Sequence, residues 1–281
     1  MSIKRLVQIA AVLAVLVLNA QFSKCSAQGS LIPTDPPGTT MLTLSQIEPR
    51  TPVDAVHTPG TSTNEFAIIN SGSYYLTTNI VGVSGKDGID IEANNVTLDL
   101  SGFSLLGGPG SPSSCGIQIL TGYANVTVRN GTVSGWGNTA VNSYARDATF
   151  DSLNVSSNQF GLFVYGPSVI RDCTASGNQY TGFGDVANGC FIFDNICVGN
   201  YYGIAIQGNN NRVEGNHATG NGLEGIVVDS PSTNNIIIRN SVEGSGSNDY
   251  YFSSQQITGP IITNVVSGII TNSNPWANFG F

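Results

Sequence analysis

Charge is scarce in this chain. Asp, Glu, Lys and Arg make up 10% of its 281 residues, against about a quarter in an average soluble domain. Basic residues are the rarest: ten Lys and Arg stand against eighteen Asp and Glu, a formal net charge of −8. Binding to phosphate needs a clustered basic face, so no nucleic-acid partner is expected. Histidine is limited to His57 and His217, far apart, and there are two methionines, which argues against a copper-handling site. Past residue 20 no long apolar run occurs, so no membrane span is expected in the remainder. The apolar residues also lack a 3.6-residue period, which excludes helical repeats. With so few charges, the surface has to be made of Asn, Ser, Thr and Gly, a composition that suits stacked β-coils.

The first residues have a targeting role. Lys4 and Arg5 precede an apolar run over Leu6–Ala20, and small residues follow at Cys25-Ser26-Ala27. This is the pattern of a signal peptide over residues 1–27, cleaved after Ala27. A lipoprotein site at Cys25 fits less well, because Lys24 precedes it. Export leaves seven basic and eighteen acidic residues, a charge of about −11, on a secreted chain expected to act as a monomer. Residues 28–63, rich in proline, read as a leader followed by an N-terminal cap.

A Gly-apolar-x-apolar unit then repeats. It occurs as Gly88-Ile89-Asp90-Ile91, Gly116-Ile117-Gln118-Ile119, Gly161-Leu162-Phe163-Val164, Gly203-Ile204-Ala205-Ile206 and Gly225-Ile226-Val227-Val228, with degenerate copies at Ala140 and Gly182. The anchors are separated by 28, 24, 21, 21, 21 and 22 residues. Each unit carries a second strand, such as Val126-Thr127-Val128-Arg129, and a third stretch ending in Ser157-Asn158, Gly177-Asn178, Gly199-Asn200 or Gly220-Asn221. Three short strands per ~21 residues make one coil of a β-solenoid, stacked on the next at about 4.8 Å. Gly and Asn at the corners supply left-handed backbone, and Asn158, Asn178, Asn200 and Asn221 should stack as an amide ladder. The fold is therefore all-β, with about 8–9 coils of 21–22 residues over 64–270 and an aromatic C-terminal cap over 271–281. Cys173 and Cys197 fall two strand positions apart on adjacent coils, which suits small core residues better than a disulfide.

This coil pattern resembles the right-handed parallel β-helix repeat proteins of the pectin-lyase-like superfamily. Outside the coils, Glu48-Pro49-Arg50-Thr51-Pro52, Gly72-Ser73-Tyr74-Tyr75-Leu76-Thr77 and Asn274-Pro275-Trp276-Ala277-Asn278-Phe279 resemble a bacterial secreted subgroup without an assigned activity. The resemblance implies right-handed winding and an extended groove for a glycan along one face. Several catalytic or binding signatures are missing: the Gly-His-Gly and Asp-Asp of polygalacturonases, the Asp-Pro-His of alginate epimerases, the calcium-binding Gly-Gly-x-Gly-x-Asp, and a Thr-x-Thr ice-binding face.

In alternating strands the second and fourth residues after each glycine point outward. Tyr144, Phe163 and Tyr165 become neighbours on adjacent coils, bordered by Tyr180, Tyr201 and Tyr202; these six are the candidate sugar-binding residues. Arg146, two residues after Tyr144, is a candidate for neutralising a uronate, with Tyr144 or Tyr165 as base, Asp185 just beyond the same face, and Asp147 or Asp151 as the arginine's alternative ion-pair partner. Lys86, Asp87, Asp90 and Glu92 form the densest charge cluster. Its three carboxylates suit Ca²⁺, Lys86 is a second candidate base, and a solvated edge is the plainer interpretation. A further column, Arg129, Asp151, Arg171, Phe193, Glu214 and Arg239, alternates in charge and suits pairing between coils.

Two functions follow. The favoured one is a secreted β-helix that binds an extended polysaccharide or acts in cell-surface interactions, because the short coils leave little room for loops to wall an active cleft. The alternative is a polysaccharide lyase that cleaves an acidic glycan by β-elimination. The 88–116 interval, containing Gly107-Gly108-Pro109-Gly110-Ser111-Pro112, is the one candidate functional loop.

Overall fold

The computed structural model describes residues 49–281 apart from 109–113 and 264–271. The signal peptide, most of the leader and the middle of the 107–112 loop lie outside the described residues. Those described form 27 β-strands and no helix. One sheet, called sheet one here, has nine parallel strands: Asn64–Ile68, Asp87–Ile91, Ile117–Ile119, Thr139–Ser143, Phe160–Val164, Thr181–Asp185, Tyr202–Ile206, Glu224–Val228 and Asn248–Phe252. Each strand belongs to a successive coil, so the described residues make nine coils. The other strands line two further faces, sheets two and three. Two long strands, Val126–Ser134 and Ala148–Ser156, bend round the corner between those faces and join them.

The inward columns make the core. Ile89, Ile117, Val141, Leu162, Phe183, Ile204 and Ile226 lie in register on sheet one and are buried. Full burial of one such aliphatic side chain contributes about 1.5–3 kcal/mol. Asp185 departs from the expected outward placement. It pairs with Val164 on one side and Ile206 on the other, so it occupies an inward column, and it is completely buried.

Three corners, not one, carry polar ladders. In the ladder foreseen from sequence, Asn158 Nδ2 donates to Asn178 Oδ1 at 3.0 Å, and the series runs on through Asn200 to Asn221. A second ladder runs Asn195, Asn216, Asn240, Asn278, and a third runs Asn211, Asn235, Gln256. The residue before each ladder asparagine is generally left-handed: Ser157, Gly177, Gly199 and Gly220 at the first corner, Asp194, Gly215 and Arg239 at the second, Asn210 and Asn234 at the third. The ladders end where other side chains take the asparagine position. Trp136 N–H donates to Asn158 Oδ1, Cys173 N–H to Asn195 and Cys190 N–H to Asn211. All four described cysteines are free and buried.

The glycine anchors of the repeat work by size. None of Gly161, Gly182, Gly203 and Gly225 has a left-handed backbone, but a Cβ on Gly161 would sit 2.2 Å from the Gly182 carbonyl oxygen and 3.2 Å from Asn178 Nδ2. The anchors face the interior beneath the first ladder. Trp136 fills the equivalent space further toward the N-terminus, with its ring against Gly82, Gly88 and Gly116.

Pairing extends past both sequence-derived limits of 64–270. Thr51–Pro52 pairs in parallel with Gly72–Tyr75, and Pro59 bridges antiparallel to Phe66 across the first strand of sheet one. At the other end Asn278–Gly280 pairs with both Ser241–Glu243 and Ile261–Ile262. The C-terminal segment is thus a strand of sheet three as well as a cap, because Asn278 continues the second ladder.

Candidate functional site

On the outside of sheet one, the column Asp90, Gln118, Asn142, Phe163, Gly184, Ala205, Val227 follows the register expected from sequence. Phe163 lies flat on the next coil: a Cβ on Gly184 would meet its ring at 2.2 Å. Two stacked aromatic pairs stand on either side. Tyr144 and Tyr165 stack with centroids 4.3 Å apart and planes at 13°, and Tyr165 is 5.3 Å from Phe163. Phe160 and Tyr180 stack at 5.2 Å, with Phe160 edge-on to Phe163 at 6.2 Å. The result is a shallow trough with Phe163 as its floor. Gly184, Ala205 and Val227 continue the floor toward the C-terminus, with Tyr201 and Tyr202 beside it, in edge contact at 4.9 Å.

Tyr144, Tyr165, Tyr180 and Tyr201 are exposed, and Phe163 and Tyr202 are half-buried. Because Tyr144 and Tyr165 stack on each other, they offer edges and hydroxyls to a ligand, whereas Phe163 offers a ring face. Burial raises the pKa of Tyr165, helped by neighbouring Tyr144, and burial with Glu224 beside it raises that of Tyr202. Those phenols stay protonated at neutral pH, as hydrogen-bond donors. A raised pKa works against Tyr165 as a general base.

The trough becomes polar toward the N-terminus. Asn142 Nδ2 donates to Gln118 Oε1 at 3.0 Å, and Asn64 Nδ2 donates to Asp90 Oδ2 at 2.7 Å. Asp90 is buried, its Oδ1 has no partner among the described residues, and desolvation pushes its pKa up to about 6, with Asp87 and Glu92 adding repulsion. Asp87 Oδ1 accepts the Cys115 N–H. The Lys86 ammonium donates to the carbonyls of Thr61 and Asn64, so it fastens the N-terminal segment instead of joining the carboxylates. Among the described residues no group of three or more His, Cys, Asp or Glu is arranged to hold a metal ion.

Arg146 is exposed at the corner after Tyr144, with its backbone bonded to Tyr123 and Asn125. It forms neither expected ion pair, with Asp147 or with Asp151; Asp151 binds Arg171 instead. Neither a hydrogen bond nor a cation–π contact joins its guanidinium to Tyr144 or Tyr165. Asp185, buried inside the coil, is not on this face either. The charged column on sheet two holds as Asp99–Arg129, Asp151–Arg171 and Glu214–Arg239 pairs. Its last member is displaced: Ile238, not Arg239, sits opposite Glu214, and Arg239 reaches back from a left-handed corner. Phe160 was missed from sequence. The signal for it is its place directly before the inward-facing Gly161, which turns the preceding side chain outward.

Among solved structures, the chain is similar to the enzymatically active domain of bacteriophage CBA120 tailspike protein 2, at 16% identity and a TM-score of 0.50. That likeness covers 83% of this chain and 46% of the phage chain, so this chain spans less than half of that domain and shares its fold. No curated protein matches the sequence. The family model "Right handed beta helix region" matches residues 115–278, more than half of the chain. With nine parallel coils and that match, the chain belongs to the right-handed β-helix family.

Proposed function

We propose that the protein is exported and binds an extended glycan, without cleaving it, along the outside of sheet one. The observation that carries this reading is the Phe163 floor between the Tyr144–Tyr165 and Phe160–Tyr180 stacks. A pyranose presents an apolar C–H face to an aromatic ring and hydroxyls to the phenols and amides around it. Five coils from Asn142 to Val227 give a track roughly 19 Å long at about 4.8 Å per coil, enough for several sugar units.

Charge selects the glycan. The strands of sheet one and the residues just after them carry Asp87, Asp90, Glu92, Glu224 and Asp229, with Asp90 and Glu224 buried and the other three partly exposed. A polyuronate would meet repulsion along this track, whereas a neutral or amino-sugar chain would not. The lyase alternative could use Asp90, whose raised pKa suits a base, but it lacks a cation to stabilise the enolate: Lys86 is engaged elsewhere and Arg146 stands apart.

The test is to pass the purified protein over immobilised neutral, amino-sugar and uronate polysaccharides, with and without Ca²⁺, while following unsaturated product in the ultraviolet. Retention on neutral or amino-sugar matrices without product is expected. Unsaturated product from a uronate, lost in Arg146→Ala or Lys86→Ala, would establish the lyase instead. Export is checked separately by sequencing the N-terminus of the mature protein, expected to begin at Gln28.

A further inference from the structure

A second concavity lies on the outside of sheet two, near the C-terminal end of the solenoid. A cavity of about 330 Å³ is lined by Ile236, Ile238, Ile257, Pro260 and Trp276, with Arg212 among its walls. Phe191, Arg212, Ile236 and Ile257 are successive outward residues of adjacent strands, so the arginine is flanked by apolar side chains, with its guanidinium 5.9 Å from the Phe191 ring.

Arg212 is anchored from behind. Its Nε donates to Glu214 Oε2 at 2.6 Å, and the other Glu214 oxygen accepts from Arg239 Nη1 at 2.9 Å. Two guanidiniums thus share one carboxylate. Asp194 lines the neighbouring cavity together with Glu214 and Arg239, whereas Arg212 lines the first. The terminal nitrogens of Arg212 make no hydrogen bond among the described residues. Trp276 is held as well: the Arg239 guanidinium lies 4.4 Å over its ring and Arg239 Nε donates to the Pro275 carbonyl at 3.0 Å. Trp276 nevertheless remains 46% exposed.

We propose that this cavity binds a carboxylate-bearing sugar, its carboxylate on the free fork of Arg212 and its apolar ring face against Trp276 and the isoleucines. A planar guanidinium pairs two N–H groups with two carboxylate oxygens, and an aromatic ring beside an apolar floor accepts the C–H face of a pyranose. The site is separate from the sheet-one trough and opposite in charge preference, so one chain would hold two kinds of glycan on two faces.

Fluorescence reads this site directly, because the chain has two tryptophans and Trp136 is fully buried. The full mature chain is titrated with tetragalacturonate and, in parallel, with cellotetraose. A saturable change in emission with tetragalacturonate alone is expected, weakening as salt rises and absent in Trp276→Phe. Arg212→Ala should lower the affinity about tenfold or more. Arg212→Lys, which keeps the charge beside Glu214 but lacks the fork, should lower it even where the fold is intact. Tyr165→Ala should leave it unchanged, so this site fails or stands independently of sheet one. An equal response to cellotetraose, no saturable response to tetragalacturonate, or unchanged affinity in both arginine variants would overturn the proposal.

Discussion

Glycine does two different jobs in this repeat, and a single substitution separates them. Gly177 has φ +60° and open space where a Cβ would be, so it serves the turn alone. Gly203 has an ordinary backbone, but a Cβ there would lie 2.4 Å from the Gly225 carbonyl oxygen. Gly203→Ala should therefore cost about 1–3 kcal/mol by overpacking, while Gly177→Asn should stay within about 1 kcal/mol, because asparagine tolerates the left-handed region. Denaturant midpoints measured on both variants check this. Asp185 makes the opposite case, a polar group where the column calls for an apolar one. It is completely buried, neither oxygen is satisfied by a well-formed hydrogen bond, and desolvation lifts its pKa to about 7, only partly offset by the Ala187 N–H and the Cys190 thiol. A carboxyl with a folded-state pKa above its unfolded value binds its proton more tightly in the native state. It does no harm below about pH 4, and its cost grows as pH rises to about 7, reaching on the order of 4 kcal/mol. Asp185→Val, matching Val164 on the preceding coil, should thus raise Tm at pH 8, with the difference shrinking toward pH 4. A difference independent of pH would show that Asp185 is not protonated in the fold.

At the level of the element, the corners explain how so polar a chain keeps a dry interior. Asn216 accepts from the Asn195 backbone N–H and side chain, and donates to Ile192 O and Asn240 Oδ1. Removing the amide leaves buried donors and acceptors above and below without partners, at about 1–3 kcal/mol each. Asn216→Ala should therefore lose roughly 3 kcal/mol or more in chemical denaturation, whereas a surface asparagine such as Asn188 should lose far less. The first ladder was legible because Gly-Asn recurs at 178, 200 and 221. The other two were hidden by variety at the left-handed position, where Asp194, Gly215, Arg239, Asn210 and Asn234 do the same task. That variety also displaced Arg239 from its expected column. Gly161, whose inward position brings Phe160 into the aromatic trough, has no room for a Cβ beside the Gly182 carbonyl and the Asn178 amide on the next coil. Within the coil, the one trace of this is the place of Phe160 directly before the repeat glycine.

Across the whole molecule, charge is segregated by face. Five of the six described arginines, Arg50, Arg129, Arg171, Arg212 and Arg239, reach the outside of sheet two, where acids mostly neutralise them. Sheet one keeps an uncompensated set of carboxylates beside its aromatic trough. Repeat spacing was enough to establish the solenoid and the outward columns of sheet one, because an in-register parallel stack fixes which residues are neighbours. Spacing could not show that Lys86 binds the Thr61 and Asn64 carbonyls, since a long side chain chooses partners that only the folded chain supplies. The central claim is that the trough holds a neutral or amino-sugar glycan through its aromatic rings. The most direct measurement is the binding isotherm of the wild-type chain and of the Tyr165→Ala/Tyr180→Ala double variant, on the polysaccharide that retains the wild type best. The trough predicts at least a tenfold loss of affinity in a variant whose thermal unfolding is otherwise near normal, with no dependence on Arg146. Equal affinity in the double variant, or retention of the wild type on polyuronates alone, would contradict it.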